Sequence, residues 1–407
     1  MLDTLPAQRS DSATPVIAGI VCALVGFTSS FAVVLTGLRA VGASPAQAAS
    51  GLLAVTMLQG LAAIALATRF RIPITIAWST PGAALLAGSG AVSGGWPAAT
   101  GAFAITGILI VATGLWSGLA DLIARIPTTI AQAMLAGVLL PLCLEPVRAV
   151  AIHPWDVLPV ILVWLVLVRI APRWAVPGAF LAASIVIGVE LARTGTSFGD
   201  HRMLPALALV APQLSVQAVL GIALPLYVVT MASQNIPGVA VIRGFGYTVP
   251  WRPSMLVTGA GTVLGAPAGG HTINLAAISA ALAAGPDAGP DTTRRWLAAT
   301  SSGITYLALG LSSAALTTLV TLAPSGVIET VAGLALLGAL SGALQGALGG
   351  RGPGNAGVAE TTAAVLTLVV AASGTTIGGI EAAFWALLAG LAARWWLLRG
   401  VARPTGH

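Results

Sequence analysis

The chain contains no lysine, and only 7% of its 407 residues are charged. All eighteen cationic residues are arginines, set against twelve carboxylates. A chain so poor in charge and 57% hydrophobic reads as a polytopic helical membrane protein. Without lysine there is no GxxxxGK phosphate loop, and there is no nucleophile elbow. Neither ATP-driven pumping nor hydrolysis therefore has visible machinery. The two cysteines, Cys22 and Cys143, lie in different apolar runs. They read as apolar packing, so no disulfide, metal site or other cofactor is expected. No long polar stretch leaves room for a separate soluble domain. Residues 1–14 lack the basic start and cleavage site of a signal peptide, so the first span is expected to be retained. The net charge of +6 sits at the ends of apolar runs. That is topology information and not a nucleic-acid footprint.

What is there is a series of apolar segments. Taking about 20 residues as the crossing length, fourteen spans are predicted, all of them helical apart from the breaks described below. They lie near 15–38, 45–67, 72–89, 97–117, 126–144, 155–171 and 174–192, then near 213–236, 253–267, 268–284, 295–320, 326–348, 357–374 and 379–399. The predicted order is a tail (1–14), a first seven-span repeat (15–192), a connecting segment (193–212), a second seven-span repeat (213–399) and a tail (400–407). With both termini cytoplasmic, the inside loops hold Arg9, Arg69, Arg71, Arg125, Arg169, Arg173, Arg243, Arg252, Arg294, Arg295, Arg351, Arg394, Arg399 and Arg403. The outside loops hold only Arg39, Arg148, Arg193 and Arg202. That asymmetry supports both the count and the orientation. An odd number of spans per half inverts the second half, giving a seven-plus-seven inverted repeat. LRAVGASP (38–45) and IRGFGYTVP (242–250) are a weak internal echo of it.

The third span of each half is a poor continuous helix. Residues 72–77 are mostly β-branched, and Ser79, Thr80 and Pro81 then form a helix start. Residues 265–285 pass through Gly270, His271, Thr272 and Asn274 before an alanine-rich run. Paired broken spans point to a transporter binding site, because irregular backbone at membrane depth must be buried in protein or line a cavity. The free N–H groups of the two half-helices, starting near Thr80 and Thr272, would cradle an anion. Ser79, Thr80, Gly82, Gly270, His271, Thr272 and Asn274 are therefore candidate ligands. Gln234 and Asn235, before Pro237 in span 8, offer uncharged donors and acceptors; interhelical bonding is an equal reading. Ser30 and Phe31 in span 1 are further candidates. Most tryptophans flank spans as an interfacial belt, but Trp78 directly precedes the broken-helix start and could wall a cavity. His271 is the histidine within an apolar run and a candidate proton carrier. Glu360 and Glu329 are weaker candidates for that role, with a solvated position at a span end as the simpler reading.

Three motifs carry a resemblance: AWSTPGAALLAG (77–88), PLYVVTMASQNIPG (225–238) and GGHTINLAAISAALAAGPDAGPD (269–291). In these and in overall length the chain resembles the benzoate:proton symporter family, often called BenE. The resemblance implies a bacterial inner-membrane secondary transporter, not an enzyme, that takes up benzoate with protons, either alone or as a homodimer. The wider superfamily is similar to bacterial uracil transporters and sulfate-type anion exchangers. It implies a core of spans 1–4 and 8–11, a gate of spans 5–7 and 12–14, and short strands near 74–78 and 270–273. Nucleobase members have acidic residues in spans 8 and 10, where this chain offers Gln234, Asn235, Thr272 and Asn274. That departure suits an anionic substrate and leaves the proton carrier open. A nucleobase or inorganic anion on the same fold is the alternative, and a receptor or membrane enzyme is a more remote one.

Overall fold

The computed structural model describes residues 13–195, 204–349 and 355–399. Expectations that fall on 1–12, 196–203, 350–354 and 400–407, including those for Arg9, Arg202, Arg351 and Arg403, lie outside the described residues.

Each of the fourteen apolar segments folds as a helical or strand–helix element. Span 1 is Ala13–Ala40, interrupted after Thr28, and span 2 is Pro45–Phe70. Span 2 starts with a reciprocal cap: the Gln47 N–H donates to Ser44 Oγ, and the Ser44 N–H donates to Gln47 Oε1. It stops at Arg71, in the left-handed region at φ 55°. Span 3 is a strand, β1 (Ile76–Trp78), followed by a half-helix (Thr80–Ser89). Spans 4 to 7 are Gly95–Leu115, Thr128–Ile152, Pro154–Ile170 and Pro172–Thr194. A short helix, Ser117–Ala124, joins spans 4 and 5. Spans 8 and 9 are Val216–Gly244 and Trp251–Gly265. Span 10 is a strand, β2 (Ile273–Leu275), followed by a half-helix (Ile278–Ala284). Span 11, Thr292–Gly310 plus Ser313–Leu322, bends by 56°. Spans 12 to 14 are Val327–Leu348, Asn355–Ala372 and Ala382–Arg399. By length and composition seven helical stretches of the described residues could each cross a membrane, or eight with the bent pair. The remaining spans are shorter, broken, or carry arginines at their ends.

Strands β1 and β2 pair antiparallel, with Ala77 opposite Asn274. The ladder continues at both ends through Ala276 N to Thr75 O (3.0 Å) and Ser79 N to Thr272 O (2.9 Å). Two short strands far from water need each other, because unpaired backbone groups there are costly. Antiparallel pairing is also what an in-plane two-fold axis relating span 3 to span 10 would produce. The close helix crossings follow the same relation. A Cβ on Gly60 of span 2 would lie 2.7 Å from Gly303 O of span 11, and one on Gly303 would lie 2.7 Å from Gly60 O. The related pair, Gly259 of span 9 and Gly107 of span 4, makes the same reciprocal contact at 2.8 Å. The fold is thus the seven-plus-seven inverted repeat.

Two groups of spans hold the broadest contacts. Span 4 packs on span 9, span 11 on spans 1 and 2, and span 1 on span 3; separately, span 5 packs on spans 12 and 13, span 6 on span 7, and span 13 on span 14. Contacts between the groups are narrower, chiefly span 3 against span 5. Span 6 buries only Val157 and Val160 and leaves Leu162, Leu165 and Val166 exposed, as a lipid-facing helix should.

Span 8 departs from a regular helix twice, in π-helical turns at Val219–Ala223 and Met231–Asn235. Each lies just before a proline, Pro225 or Pro237. A proline ring clashes with the carbonyl one turn back, and a widened turn relieves the clash.

Candidate functional site

The half-helix at Thr80 begins as its sequence predicts. Ser79 is the N-cap: its Oγ accepts from Gly82 N (3.1 Å), and its carbonyl accepts from Ala83 N (2.7 Å). Pro81 has no N–H to give. Thr80 is therefore the residue of this turn with donors to offer, and it lines a cavity of about 290 Å³. Trp78 and Tyr306 wall that cavity, their rings 6.4 Å apart. Phe27 packs edge-on against Trp78 at 5.4 Å, and Trp78 Nε1 donates to Ser30 Oγ (2.9 Å), so the indole is fixed in place. Gln234 reaches the cavity from the second π-helical turn of span 8, and Ala277 and Ser279 from span 10. Spans 7 and 12 close the opposite wall with Val176, Pro177, Ala335 and Gly338. The cavity thus lies between the two packed groups.

The one charged lining residue is Arg173, exposed at the rim beside Pro172. Six crossings from the N-terminus lead to this turn, so the rim is on the N-terminal side of the membrane. Along span 1 the lining ends at Ser30, and along span 7 at Pro177. Just beyond each are Phe31 and Phe180, whose rings meet edge to face at 4.7 Å. That contact seals the far end.

Of the sequence candidates, Ser30, Trp78, Thr80 and Gln234 line the cavity. The others are placed behind it. Phe31 is fully buried, between Phe27 and Phe180, and does not stack in the cavity. Ser79 and Thr272 join Thr230 in a buried hydroxyl cluster, with Thr230 Oγ1 donating to Ser79 Oγ (2.9 Å) and lying 3.4 Å from Thr272 Oγ1. Gly82 spends its N–H on the cap, and a Cβ there would meet Leu226 at 2.4 Å. Asn235 accepts from Leu275 N (2.9 Å) and clamps β2. Asn274 satisfies both ends of its amide within the strand pair, donating to Leu275 O (2.8 Å) and accepting from Ser79 N (2.9 Å). Gly270 lies where spans 2 and 9 approach, its N–H donating to Gly265 O (2.9 Å). His271 is buried with Nε2 3.3 Å from Ser79 O, while its Nδ1 has no partner among the described residues.

Two expectations need correcting. Thr272 does not start the second half-helix. The strand occupies Ile273–Leu275 and the helix begins at Ile278, because pairing with β1 satisfies the backbone that a helix would otherwise have to serve. The second helix N-terminus is thereby moved to Ala277 and Ser279, which line the same cavity as Thr80, so the starts of both half-helices open on it. Nor do the glutamates approach the cavity. Glu329 is exposed and caps its own helix by accepting from Gly326 N (3.0 Å), and Glu360 is paired with Arg394 (2.8 Å). Among the described residues no cluster of three or more histidine, cysteine or carboxylate side chains could hold a metal ion. Both cysteines are free and buried.

Sequence reasoning missed Arg173, Tyr306 and Thr230 as parts of the site. The proline before Arg173 was the available signal, since it forces a tight turn at the span end.

A family profile described as "BenE: Benzoate membrane transport protein" matches residues 10–395. The chain is 36% identical to the inner membrane protein YdcO of Escherichia coli K12, over 92% of this chain and 93% of that one. It is 28% identical to a benzoate membrane transport protein of Acinetobacter baylyi, over 98% of both chains. Among solved structures it is similar to the transmembrane domain of the cyanobacterial bicarbonate transporter BicA, with a TM-score of 0.63 and 16% identity, covering 93% of this chain and 97% of that one. It is also similar to SLC26A9, with a TM-score of 0.62 and 13% identity, covering 94% of this chain and 65% of that one.

Proposed function

The chain belongs to the benzoate membrane transport family, and on that premise we propose that it imports benzoate or a closely related aromatic carboxylate together with protons. The observation that carries this reading is the cavity: about 290 Å³, at the small end of ligand pockets, which begin at about 300 Å³. It has two aromatic walls and one cation. The ring of the substrate packs against the wall formed by Trp78 and Tyr306, and the carboxylate takes hydrogen bonds from Thr80 and Gln234. Arg173 draws the anion to the rim. The neutral amides of span 8 suit an anion where a carboxylate would repel it. The A. baylyi relative is a benzoate transport protein by name, and the E. coli relative an inner membrane protein. Both support a bacterial inner-membrane location. The arginine distribution supports cytoplasmic termini, which would make the cavity, with its rim at Arg173, open to the cytoplasm.

Spans 1–4 and 8–11 form the moving core and spans 5–7 and 12–14 the gate. Alternating access is then a shift of one group against the other across their narrower contacts. His271 is the proton carrier we favour over Glu329 and Glu360. It touches the carbonyl of Ser79, the residue between cavity-lining Trp78 and Thr80, whereas both glutamates are engaged elsewhere.

The test is uptake of radiolabelled benzoate into proteoliposomes, with and without an inwardly directed proton gradient. Excess uracil, sulfate and substituted benzoates serve as competitors. Gradient-driven uptake blocked only by aromatic acids is expected. Block by uracil or sulfate, or no benzoate uptake, would hand the site to a nucleobase or an inorganic anion.

A further inference from the structure

Where spans 5 and 14 meet on the N-terminal side of the membrane, Arg125, Arg394 and Arg399 surround a second cavity of about 370 Å³. Pro127, Leu391, Trp395 and Leu398 complete its lining. The spacing 391, 394–395, 398 places one stripe of a helix toward it, apolar at both ends and cationic in the middle. Glu360 neutralises one arginine through its 2.8 Å bond to the Arg394 guanidinium. Arg394 Nε remains buried without a partner among the described residues. Among the described residues Arg125 and Arg399 make no ion pair, although Arg399 stacks on the Trp395 ring at 3.5 Å. Among the described residues the site therefore holds two uncompensated cations and an unmet donor.

The surroundings are those of a membrane surface. Trp395 and Trp396 are exposed, as are Trp116 and Leu122 on and beside the short helix Ser117–Ala124 that leads into Arg125. Exposed indoles at a span end belong at the headgroup level. A free anion would gain nothing from the leucines and the exposed indole, whereas a lipid uses both halves of this lining.

We propose that this cleft binds the phosphodiester headgroup of an anionic phospholipid in the leaflet on the N-terminal side. Arg125 and Arg399 hold the phosphate oxygens, Arg394 Nε adds a hydrogen bond, and the acyl chains run along Leu391 and Leu398. Basic pockets between spans are suited to such headgroups. The inference is independent of the transported substrate.

The full-length protein, delipidated in detergent, is titrated by native mass spectrometry with phosphatidylglycerol, with phosphatidylcholine of the same acyl chains, and with inorganic phosphate. Wild type is expected to prefer phosphatidylglycerol. Arg125→Gln should weaken that binding about fivefold, and Arg125→Gln with Arg399→Gln on the order of thirtyfold. Arg243→Gln, a basic residue on the same side but outside the cleft, should leave it unchanged. Equal binding of the two lipids overturns the proposal, and so does an undiminished affinity in the variants or an equal loss in Arg243→Gln. Displacement of the lipid by inorganic phosphate would make this a free-anion site. If the double variant fails to fold, Arg125→Gln and the wild-type lipid comparison still decide.

Discussion

In the proposed mechanism, Arg173 and His271 divide the electrostatic work of the site. Arg173 is exposed, so a pair with the carboxylate is screened and weak in equilibrium terms. Its effect belongs to capture, where a lone cation at a low-dielectric mouth concentrates anions. Arg173→Gln should raise the KM for benzoate about tenfold at low ionic strength, with kcat kept, and Arg173→Lys should restore most of it. A loss confined to kcat, or no dependence on salt, would remove Arg173 from this role. His271 sits behind the cavity, and its role is read in coupling. His271→Gln keeps a donor near the Ser79 carbonyl without a titratable ring. Proton-driven accumulation should disappear while benzoate–benzoate counterflow persists; accumulation at the wild-type level would put the proton elsewhere. The two residues also differ in how legible they were. His271, Thr80 and Trp78 lie in or beside the broken spans, and local signals, a cap followed by proline and a histidine in an apolar run, single them out. Arg173 and Tyr306 enter from spans 7 and 11. An arginine at a span end reads equally well as topology, and a tyrosine in an apolar run reads as packing. No local pattern says that they share a cavity with Thr80.

At the scale of elements, the spans were readable because lipid demands long apolar runs and arginine marks their ends. The start of the second half-helix was not, because β2 is set by its partner strand some two hundred residues away, and strand pairing is a non-local decision. The same holds for the helix crossings. Gly60, Gly107, Gly259 and Gly303 look alike in sequence to glycines that touch nothing, such as Gly338. Small residues at crossings let backbones approach, which is the main source of helix association in lipid. A methyl group on Gly303 would meet Gly60 O and Ile64 Cγ1, each at 2.7 Å. Gly303→Ala should therefore cost about 1–3 kcal/mol by overpacking, seen as a lowered thermal midpoint in detergent. Gly107→Ala should cost a similar amount at the related crossing. Gly338→Ala, with open space around its Cβ, should be close to neutral. Equal losses at Gly303 and Gly338 would mean that the crossings do not depend on close approach.

For the whole molecule, the arrangement of the cavity makes a directional claim. Its rim at Pro172 and Arg173 is on the N-terminal side, and Phe31 against Phe180 closes the other end. Those two rings belong to different groups of spans, so a shift of one group against the other must part them. Gly338 lies on the span-12 wall of the cavity, exposed and with no atom within 4 Å of an added Cβ, so a cysteine fits there without strain. In a Cys22→Ala, Cys143→Ala background that still transports, Gly338→Cys should react with a membrane-impermeant maleimide applied from the N-terminal side. Benzoate should slow the reaction by filling the cavity. From the opposite side the reaction should be slow, and Phe180→Ala should speed it, since removing one ring opens the seal. Equal labelling from both faces with Phe180 intact, or no protection by benzoate, would mean that this cavity is not the transport path. A reversed preference, with fast labelling from the side opposite the N-terminus, would reject the span count on which the inverted placement of Arg173 and the Phe31–Phe180 seal depends.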